Sequence, residues 1–311
     1  MALLIRDIDE TALLLRRLYS SHGYKKYSMS KFEPLEFYSS NKAFLEDDRV
    51  VTFSDFSGRL MALRPDVTLS IVKNAVRSGE SRVCYCENVY RGKKGSPAVE
   101  EIKQAGLEHI GAIDAATQCT VVSLAADSLK LISDKWVLDV SHLGFADAAL
   151  NEAGCSEELR SEIVSCIASK APHGILKLCA ENGIAETSAN KLAALAELSG
   201  PINEVLDRID RISTPPYTDA YVLELRELSA SLRSSGTDDG INLDFSVVND
   251  MNYYNGIVFR GYADGLPVCA LSGGRYDRLV KKFGINAGGL GFAVYLGRIE
   301  PYIEEGGGSD A

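Results

Sequence analysis

The sequence contains no long apolar segment. None of its hydrophobic runs approaches the roughly 18 residues that a membrane-spanning helix requires, and the first segment, MALLIRDIDETALLLRR, has charged residues inside its apolar run. A secretory signal peptide keeps its apolar region free of charge. We therefore expect neither membrane insertion nor secretion, and predict a cytoplasmic protein.

Clusters of metal-binding residues are also missing. The sequence has four histidines and seven cysteines, and no two cysteines form a CxxC pair. Zinc sites are built from such closely spaced ligands. Cys84 and Cys86 are two positions apart, which on a strand places both on one face, and we interpret them as buried thiols in a reducing compartment. No metal or other cofactor is expected.

Positive charge is scarce. The 311 residues include 33 lysines and arginines against 43 aspartates and glutamates, which gives a formal net charge of −10 and a pI of about 5.0. A broad nucleic-acid-binding surface needs the opposite balance, so extensive contact with RNA or DNA is disfavoured. The remaining composition is that of an ordinary globular protein, and the length allows about two domains.

The order of predicted elements indicates an α+β fold. Residues 7–19 have apolar residues at helical spacing, and they are followed by short strands, a helix after Pro65 and two long strands joined by the loop GKKGSPA. Between 144 and 234 the strand signals vanish and helical spacing takes over. Strands then return, with a hairpin turn at Asp264-Gly265.

Strands on both sides of a helical block imply a mixed core that is interrupted by an insertion. We assign the core to residues 1–143 and 235–303, and the helical insertion to 144–234. The glycine-rich segment 304–311 is predicted to be a disordered tail.

The segment EIKQAGLEHIG is the first candidate for a binding surface. On a strand, Gln104, Gly106 and Glu108 share one face. Gly106 would let a ligand approach the backbone, and the two polar side chains can accept hydrogen bonds from an ammonium or an imidazole. The alternative is a solvated face of a half-exposed strand.

Arg91 ends the preceding predicted strand and is followed by Lys93 and Lys94 in a glycine-bearing loop. Together they form a local cationic patch that could bind a phosphate or a carboxylate. A solvated loop is the alternative interpretation.

Asp66 and Thr68 follow Arg64-Pro65 at a predicted helix start. Capping of the helix is the simplest role for Asp66. The functional alternative is a carboxylate that binds an amino group.

Glycine-rich segments near the end of the chain contain further candidates. Tyr254 and Gly256 share a strand face, SGGRYD allows close backbone approach before Tyr276, and Arg298 follows the glycine-rich GGLGFAVYLG. The alternatives are core tyrosines and an exposed arginine at a helix start.

Taken together, these segments resemble the catalytic core of the class II histidyl-tRNA synthetases. FEPLE at 32–36 lies where that family has its first dimer-forming motif. The resemblance implies a class II synthetase-like antiparallel sheet flanked by helices. The other similar segments occur in the same order: LRPDVT at 63–68, YRGKK at 90–94, KQAGLE at 103–108, NDMNYYNGIVF at 249–259, SGGRYD at 272–277 and GLGFAVYLGR at 289–298.

The resemblance assigns a role to each matching residue. Asp66 and Thr68 resemble residues that hold the amino group of histidine. Arg91 and Arg298 resemble two arginines that bind the phosphates of ATP. The rest of the histidine pocket, including its imidazole end, would be lined by Gln104, Glu108, Tyr254 and Tyr276.

Several positions depart from the synthetase pattern. Asn249 replaces an arginine that acts at the reacting carboxylate and phosphate, and an amide cannot supply that charge. Asn252 replaces an acidic residue. Glu100 replaces a further arginine of the second motif, and a carboxylate there would repel ATP.

Three more departures concern the ATP side and the chain end. Gly92-Lys93 stands where the family usually has His-Glu, and Gly297 takes the place of a glutamate next to the arginine. The chain also ends soon after GLGFAVYLGR, without a counterpart of the anticodon-binding domain.

These departures are similar to those of the catalytically silent branch of the family, the regulatory subunits of ATP phosphoribosyltransferase. Membership implies that the chain performs no chemistry and binds no tRNA. It would activate a short-form catalytic subunit in a hetero-oligomer, at the first step of histidine biosynthesis. It would form a homodimer through the Phe32–Glu36 region, with histidine as the effector.

Two alternatives remain open. One is a histidyl-tRNA synthetase-like enzyme that adenylates histidine without an anticodon-binding domain. The other is an orphan paralogue whose pocket accepts a different small molecule.

Overall fold

The computed structural model describes residues 3–5, 7–45, 50–75, 80–93, 95–213, 215, 218–248 and 253–306. The chain folds as two compact units. The first comprises Met1–Ile113, Asp127–Trp136 and Tyr262–Ala311, and the second comprises Asp114–Ala126 and Val137–Gly261. Among the described residues, no helix is both long and apolar enough to cross a membrane.

Helices and strands are mixed along the chain, as the sequence predicted. The strands are β1 (Lys25–Lys26), β2 (Phe32–Pro34), β3 (Thr52–Ser54), β4 (Leu60–Leu63), β5 (Ser81–Gly92), β6 (Val99–Gly111), β7 (Trp136–His142), β8 (Ser199–Pro201), β9 (Ile241–Asp244), β10 (Ile257–Ala263), β11 (Leu271–Arg275) and β12 (Gly288–Val294). The α-helices are α1 (Ile8–Ser21), α2 (Leu35–Ser39), α3 (Thr68–Ala75), α4 (Ala115–Ile132), α5 (Leu143–Glu152), α6 (Glu157–Ala168), α7 (Pro172–Glu181), α8 (Glu186–Glu197), α9 (Ile202–Ile209), α10 (Asp219–Ser234), α11 (Asp277–Lys282) and α12 (Leu296–Gly306). A short 3-10 helix spans Lys42–Phe44.

The first unit is built on a sheet with the strand order β1-β5-β6-β12-β11. Apart from β1, which runs parallel to β5, neighbouring strands in this order are antiparallel. The long β5–β6 pair places Tyr85 opposite Gly106, and the β6–β12 pair places Glu108 opposite Gly291. This antiparallel register positions the candidate site.

Helix α1 packs on the β5 and β6 strands. Asp7 caps its first turn by accepting the Asp9 and Glu10 amides, and a buried stripe that includes Leu15 and Tyr19 faces the sheet. The helix ends at His22, before Gly23 in the left-handed region at φ +85°. The predicted amphipathic helix is confirmed.

A small second sheet in the first unit has the order β2-β4-β3 and is antiparallel throughout. The turn between β3 and β4 is closed by Asp55, whose carboxylate accepts the backbone amides of Ser57 and Arg59. Gly58 follows at φ +81°, a conformation that favours glycine. The two strands therefore form a hairpin around Ser57-Gly58.

The second unit contains the helices α5 to α10 and the strand order β7-β9-β8. The sequence prediction of no strand between 144 and 234 is wrong at β8, which pairs antiparallel with β9. This strand has three residues, and two of them, Gly200 and Pro201, disfavour strands. The unit also extends beyond the predicted insertion, because it includes Asp114–Ala126 and reaches Gly261.

The structure also bears on two predicted features near the C-terminus. The turn at Asp264-Gly265 is present, with Gly265 at φ +88°. Helix α12 continues to Gly306, so the boundary at 303 lies within a helix. Residues 307–311 lie outside the described part of the chain.

Candidate ligand-binding site

Glu108 is the central residue of the candidate site. It lies on β6, is only 2% exposed, and accepts hydrogen bonds from two side chains that come from distant parts of the chain. Thr68, the first residue of α3, donates from Oγ1 at 2.6 Å, and Tyr276, just before α11, donates from Oη at 2.5 Å. Three separate segments therefore meet at one carboxyl group.

Burial controls the charge of this carboxyl group. Desolvation, aided by the nearby Asp66 carboxylate, raises the pKa of Glu108 to about 8, against the lowering effect of the Thr68 and Tyr276 hydrogen bonds. At neutral pH the group is therefore mostly protonated. A ligand that brings a positive charge or an N–H donor to this carboxyl would favour its ionised form.

Asp66 stands at the start of α3. Its Oδ1 accepts the backbone amide of Leu69 at 2.7 Å, which confirms the predicted cap. Asp66 lies two residues before Thr68, which donates to Glu108, and the Asp66 carboxylate helps to raise the pKa of Glu108. Gln104 is buried on the strand face that carries Glu108, four positions before it and with Gly106 between them.

Two glycines of β12 make room for these side chains. Gly291 lies opposite Glu108, and a Cβ on Gly291 would collide with the Glu108 Oε2. A Cβ on Gly289 would collide with the ring of Tyr276. The glycine-rich segment GGLGF therefore gives the site its space.

Gly106 serves a different purpose from the one that the sequence suggested. We expected this glycine to admit a ligand to the backbone, but the side chain of Tyr85 lies over it. A Cβ on Gly106 would be 2.7 Å from Tyr85 Oη and 2.8 Å from Cζ. The sequence pattern alone did not single out Tyr85 as a site residue. Tyr85 lies between Cys84 and Cys86, and strand alternation assigns it to the face opposite these two cysteines.

Arg91 is buried in the structure and does not form part of an exposed patch. Its Nε donates to the carbonyl oxygen of Pro65 at 2.9 Å, which ties the end of β5 to the segment that leads into Asp66. In the β5–β6 register Arg91 lies opposite Glu100. Of the two loop lysines, Lys93 is exposed, and Lys94 lies outside the described residues.

Arg298 lies in the first turn of α12, as expected for a helix-start arginine, but it is partly buried. Its guanidinium stacks on the ring of Tyr295 at 4.4 Å, and Tyr295 Oη is 2.5 Å from Ser272 Oγ. The neighbouring Gly297 packs closely on β6, since a Cβ there would be 2.9 Å from the backbone nitrogen of Lys103. This backbone therefore leaves no room for the glutamate of the synthetase pattern.

Tyr254 belongs to the second unit. There its ring makes an edge contact with Tyr253, at a centroid distance of 4.6 Å. Its role in the pocket remains a prediction from the resemblance. Asn249 and Asn252 lie outside the described residues.

The structure thus brings the side chains of Thr68 and Tyr276 into direct contact with Glu108, with Asp66 two residues before Thr68 and Gln104 on the strand face of Glu108. Within the described part of the chain, no group of three or more histidine, cysteine, aspartate or glutamate residues could hold a metal ion. The site instead offers buried oxygen and hydroxyl groups, which suit a small polar ligand.

The chain is similar to known proteins over most of its length. The sequence matches the histidyl-tRNA synthetase family over residues 5–299. It is 27% identical over 292 residues to the ATP phosphoribosyltransferase regulatory subunit of Acetivibrio thermocellus, covering 92% of this chain and 70% of the relative.

Two solved structures have the same fold. An ATP phosphoribosyltransferase regulatory subunit/histidyl-tRNA synthetase from Bacillus halodurans C matches with a TM-score of 0.84 and 26% identity, over 96% of this chain and 78% of that chain. An ATP phosphoribosyl transferase complex from Thermotoga maritima matches with a TM-score of 0.74 and 17% identity, over 93% and 97%. The chain therefore has the class II synthetase-like α+β fold that the sequence predicted, and it belongs to the histidyl-tRNA synthetase family.

Proposed function

We propose that this chain is a non-catalytic regulatory subunit of ATP phosphoribosyltransferase, acting in the cytoplasm at the first step of histidine biosynthesis. The observation that carries the proposal is the combination of a retained Glu108 pocket with altered residues on the ATP side. The relatives named as regulatory subunits support the same assignment.

Two positions argue against adenylation of histidine. Gly297 has no space for the synthetase glutamate, because a Cβ there would be 2.9 Å from the backbone nitrogen of Lys103. Glu100 places a carboxylate opposite Arg91 in the strand ladder, next to the cation that would bind a phosphate. Both changes weaken a site for a polyanion such as ATP.

The proposed ligand of the retained pocket is histidine, which acts as the effector. Its ammonium group would bind Asp66 and Gln104, and an imidazole N–H would bind Glu108. Tyr276 would contact the remaining polar atoms of the ligand, and the assignment of Tyr254 to the pocket rests on the resemblance alone. End-product binding would then control the flux through linkage between two states of the complex.

The proposed partners are a short-form catalytic subunit and a second copy of this chain. Pairing of two copies would use the Phe32–Glu36 region. Phe32 is 48% exposed and packs edge-on against Phe53, which is 38% exposed, at a centroid distance of 5.7 Å. Glu33, in contrast, is turned inward and binds Ser70 and Lys73. An exposed aromatic pair, with one ring on β2 and the other on β3, suits an isologous interface.

A histidine-adenylating enzyme without an anticodon-binding domain is the second candidate. It is favoured by Arg91 and Arg298, which resemble the two ATP-binding arginines of the synthetases. The guanidinium of Arg298 stacks on the ring of Tyr295. The two candidates differ in whether the chain catalyses a reaction alone.

Two measurements separate these candidates. The purified chain is assayed for histidine-dependent ATP–pyrophosphate exchange and for histidyl-tRNA formation, and it is mixed with a short-form catalytic subunit and examined by gel filtration. The proposal predicts no exchange, no charged tRNA and co-elution of the two proteins. Exchange at ordinary enzyme concentration supports the synthetase-like enzyme and contradicts the regulatory role.

A further inference from the structure

Tyr85 lies in the middle of the strand face that carries the candidate pocket. It pairs with Gly106 in the β5–β6 ladder, so its side chain is on the same face as Gln104 and Glu108. It is 4% exposed. Because Gly106 has no side chain, the phenol lies directly over its Cα, between Gln104 and Glu108.

The phenol of Tyr85 is buried close to two carboxyl groups. Burial, aided by the carboxylates of Glu108 and Asp66, raises the pKa of Tyr85 well above its usual range. Its hydroxyl therefore stays protonated, and Tyr85 adds no negative charge to a site that already has two carboxyl groups. A neutral flat ring between polar groups provides an apolar contact for a ligand whose ends are polar.

We propose that Tyr85 is a specificity-determining residue, whose ring forms the floor of the pocket under the methylene group and imidazole ring of bound histidine. The inference rests on the proposed histidine site. Without this ring, Gly106 would leave a hollow between Gln104 and Glu108 that could accept a bulkier side chain. Tyr85 therefore sets the depth of the pocket.

Calorimetric titration of the full chain tests this role. The ligands are histidine and its two ring N-methyl derivatives, and the proteins are the wild type, Tyr85→Phe, Tyr85→Leu and Tyr85→Ala. Tyr90→Phe is the matched control, because Tyr90 is on the same strand but donates its hydroxyl to Glu101 at 3.0 Å. Tyr85→Leu retains an apolar side chain, so it can replace the alanine variant in the titration if the alanine variant does not fold.

We expect Tyr85→Phe and the control to keep the histidine affinity within about threefold. In the leucine and alanine variants the affinity for histidine should fall by about tenfold or more. The affinity for at least one methylated ligand should rise by about tenfold relative to that for histidine. If Tyr85 had a purely structural role, its replacement would lower the affinity for all three ligands by the same factor.

The results that overturn the inference are distinct from those that overturn the proposed function. An unchanged ligand ranking in the leucine and alanine variants contradicts the floor role, and so does a loss in Tyr85→Phe as large as that in Tyr85→Ala. If the wild-type chain binds no histidine, the proposed histidine site fails and this inference fails with it.

Discussion

Gly291 lies directly opposite Glu108 in the β6–β12 ladder, and the missing side chain at 291 is what leaves room for the Glu108 carboxyl group. The Glu108 carboxyl group thus accepts hydrogen bonds from Thr68 and Tyr276, and it also packs against the backbone of Gly291. The pocket depends on this arrangement, because any Cβ at 291 would occupy the position of the Oε2 atom.

The first prediction is that Gly291→Ala destabilises the protein by about 1–3 kcal/mol, since an added methyl group overpacks a tightly filled site. Denaturant unfolding measures the effect. The double variant Gly291→Ala/Glu108→Ala removes one of the colliding groups, so it should be less destabilised than the sum of the single variants. Additive free energies would show that the two residues do not compete for space.

The second prediction concerns pH and stability. The carboxyl of Glu108 has an ordinary pKa of 4.5 and a pKa of about 8 in the folded chain. Between these values the folded state holds a proton that the unfolded state has released, so the contribution of Glu108 to stability falls as the pH rises from about 4.5 to about 8. The amide side chain of the Glu108→Gln variant does not titrate, so this variant lacks the pH dependence that Glu108 causes.

Denaturant unfolding of the wild type and of Glu108→Gln, from about pH 5 to about pH 8.5, measures this difference. The free energy of unfolding of the wild type should fall relative to that of the variant over this interval. Parallel curves for the two proteins would mean that the buried carboxyl ionises normally.

The third prediction concerns the effector. Removing one buried partner of a charged group costs on the order of 2 to 5 kcal/mol, or about 30-fold to several thousandfold in affinity. Glu108→Ala should therefore weaken histidine binding well beyond tenfold and leave the dimer intact. Isothermal titration decides this: an unchanged affinity, or no heat with the wild type at millimolar histidine, shows that histidine acts elsewhere.

The fourth prediction concerns the homodimer. Phe32→Glu places a charge on the exposed aromatic pair, so it should shift the protein towards monomer at micromolar concentration, as measured by light scattering. Leu223→Glu is the control, because Leu223 is an exposed apolar residue of the second unit, at 58% exposure. A wild type that is monomeric, or a Phe32→Glu variant that stays dimeric, contradicts the proposed interface.

Local patterns predicted much of this structure. Alternation along a strand placed Gln104 and Glu108 on one face, and helix-start chemistry identified Asp66 as the cap of α3. Local patterns also selected Thr68 and Tyr276 as candidates, and the resemblance assigned both to the histidine pocket. The structure places both side chains in contact with Glu108.

The rest depended on contacts between distant segments. The position of Tyr85 over Gly106 follows from the register between two strands, which neither strand reveals alone. Arg91 is buried because the carbonyl of Pro65, 26 residues earlier, accepts its hydrogen bond. The β8 strand escaped prediction because its pairing with β9 overrides the poor strand preference of Gly200 and Pro201.

The central claim is that the chain regulates a catalytic subunit and has no activity of its own. Its most direct test is the rate of phosphoribosyl transfer from phosphoribosyl pyrophosphate to ATP by the short-form catalytic subunit, with and without this chain and with and without histidine. The account predicts that the rate rises when the chain is added and that histidine lowers it in the mixture. A rate that the chain does not change, in a mixture where the two proteins do not co-elute, would contradict it.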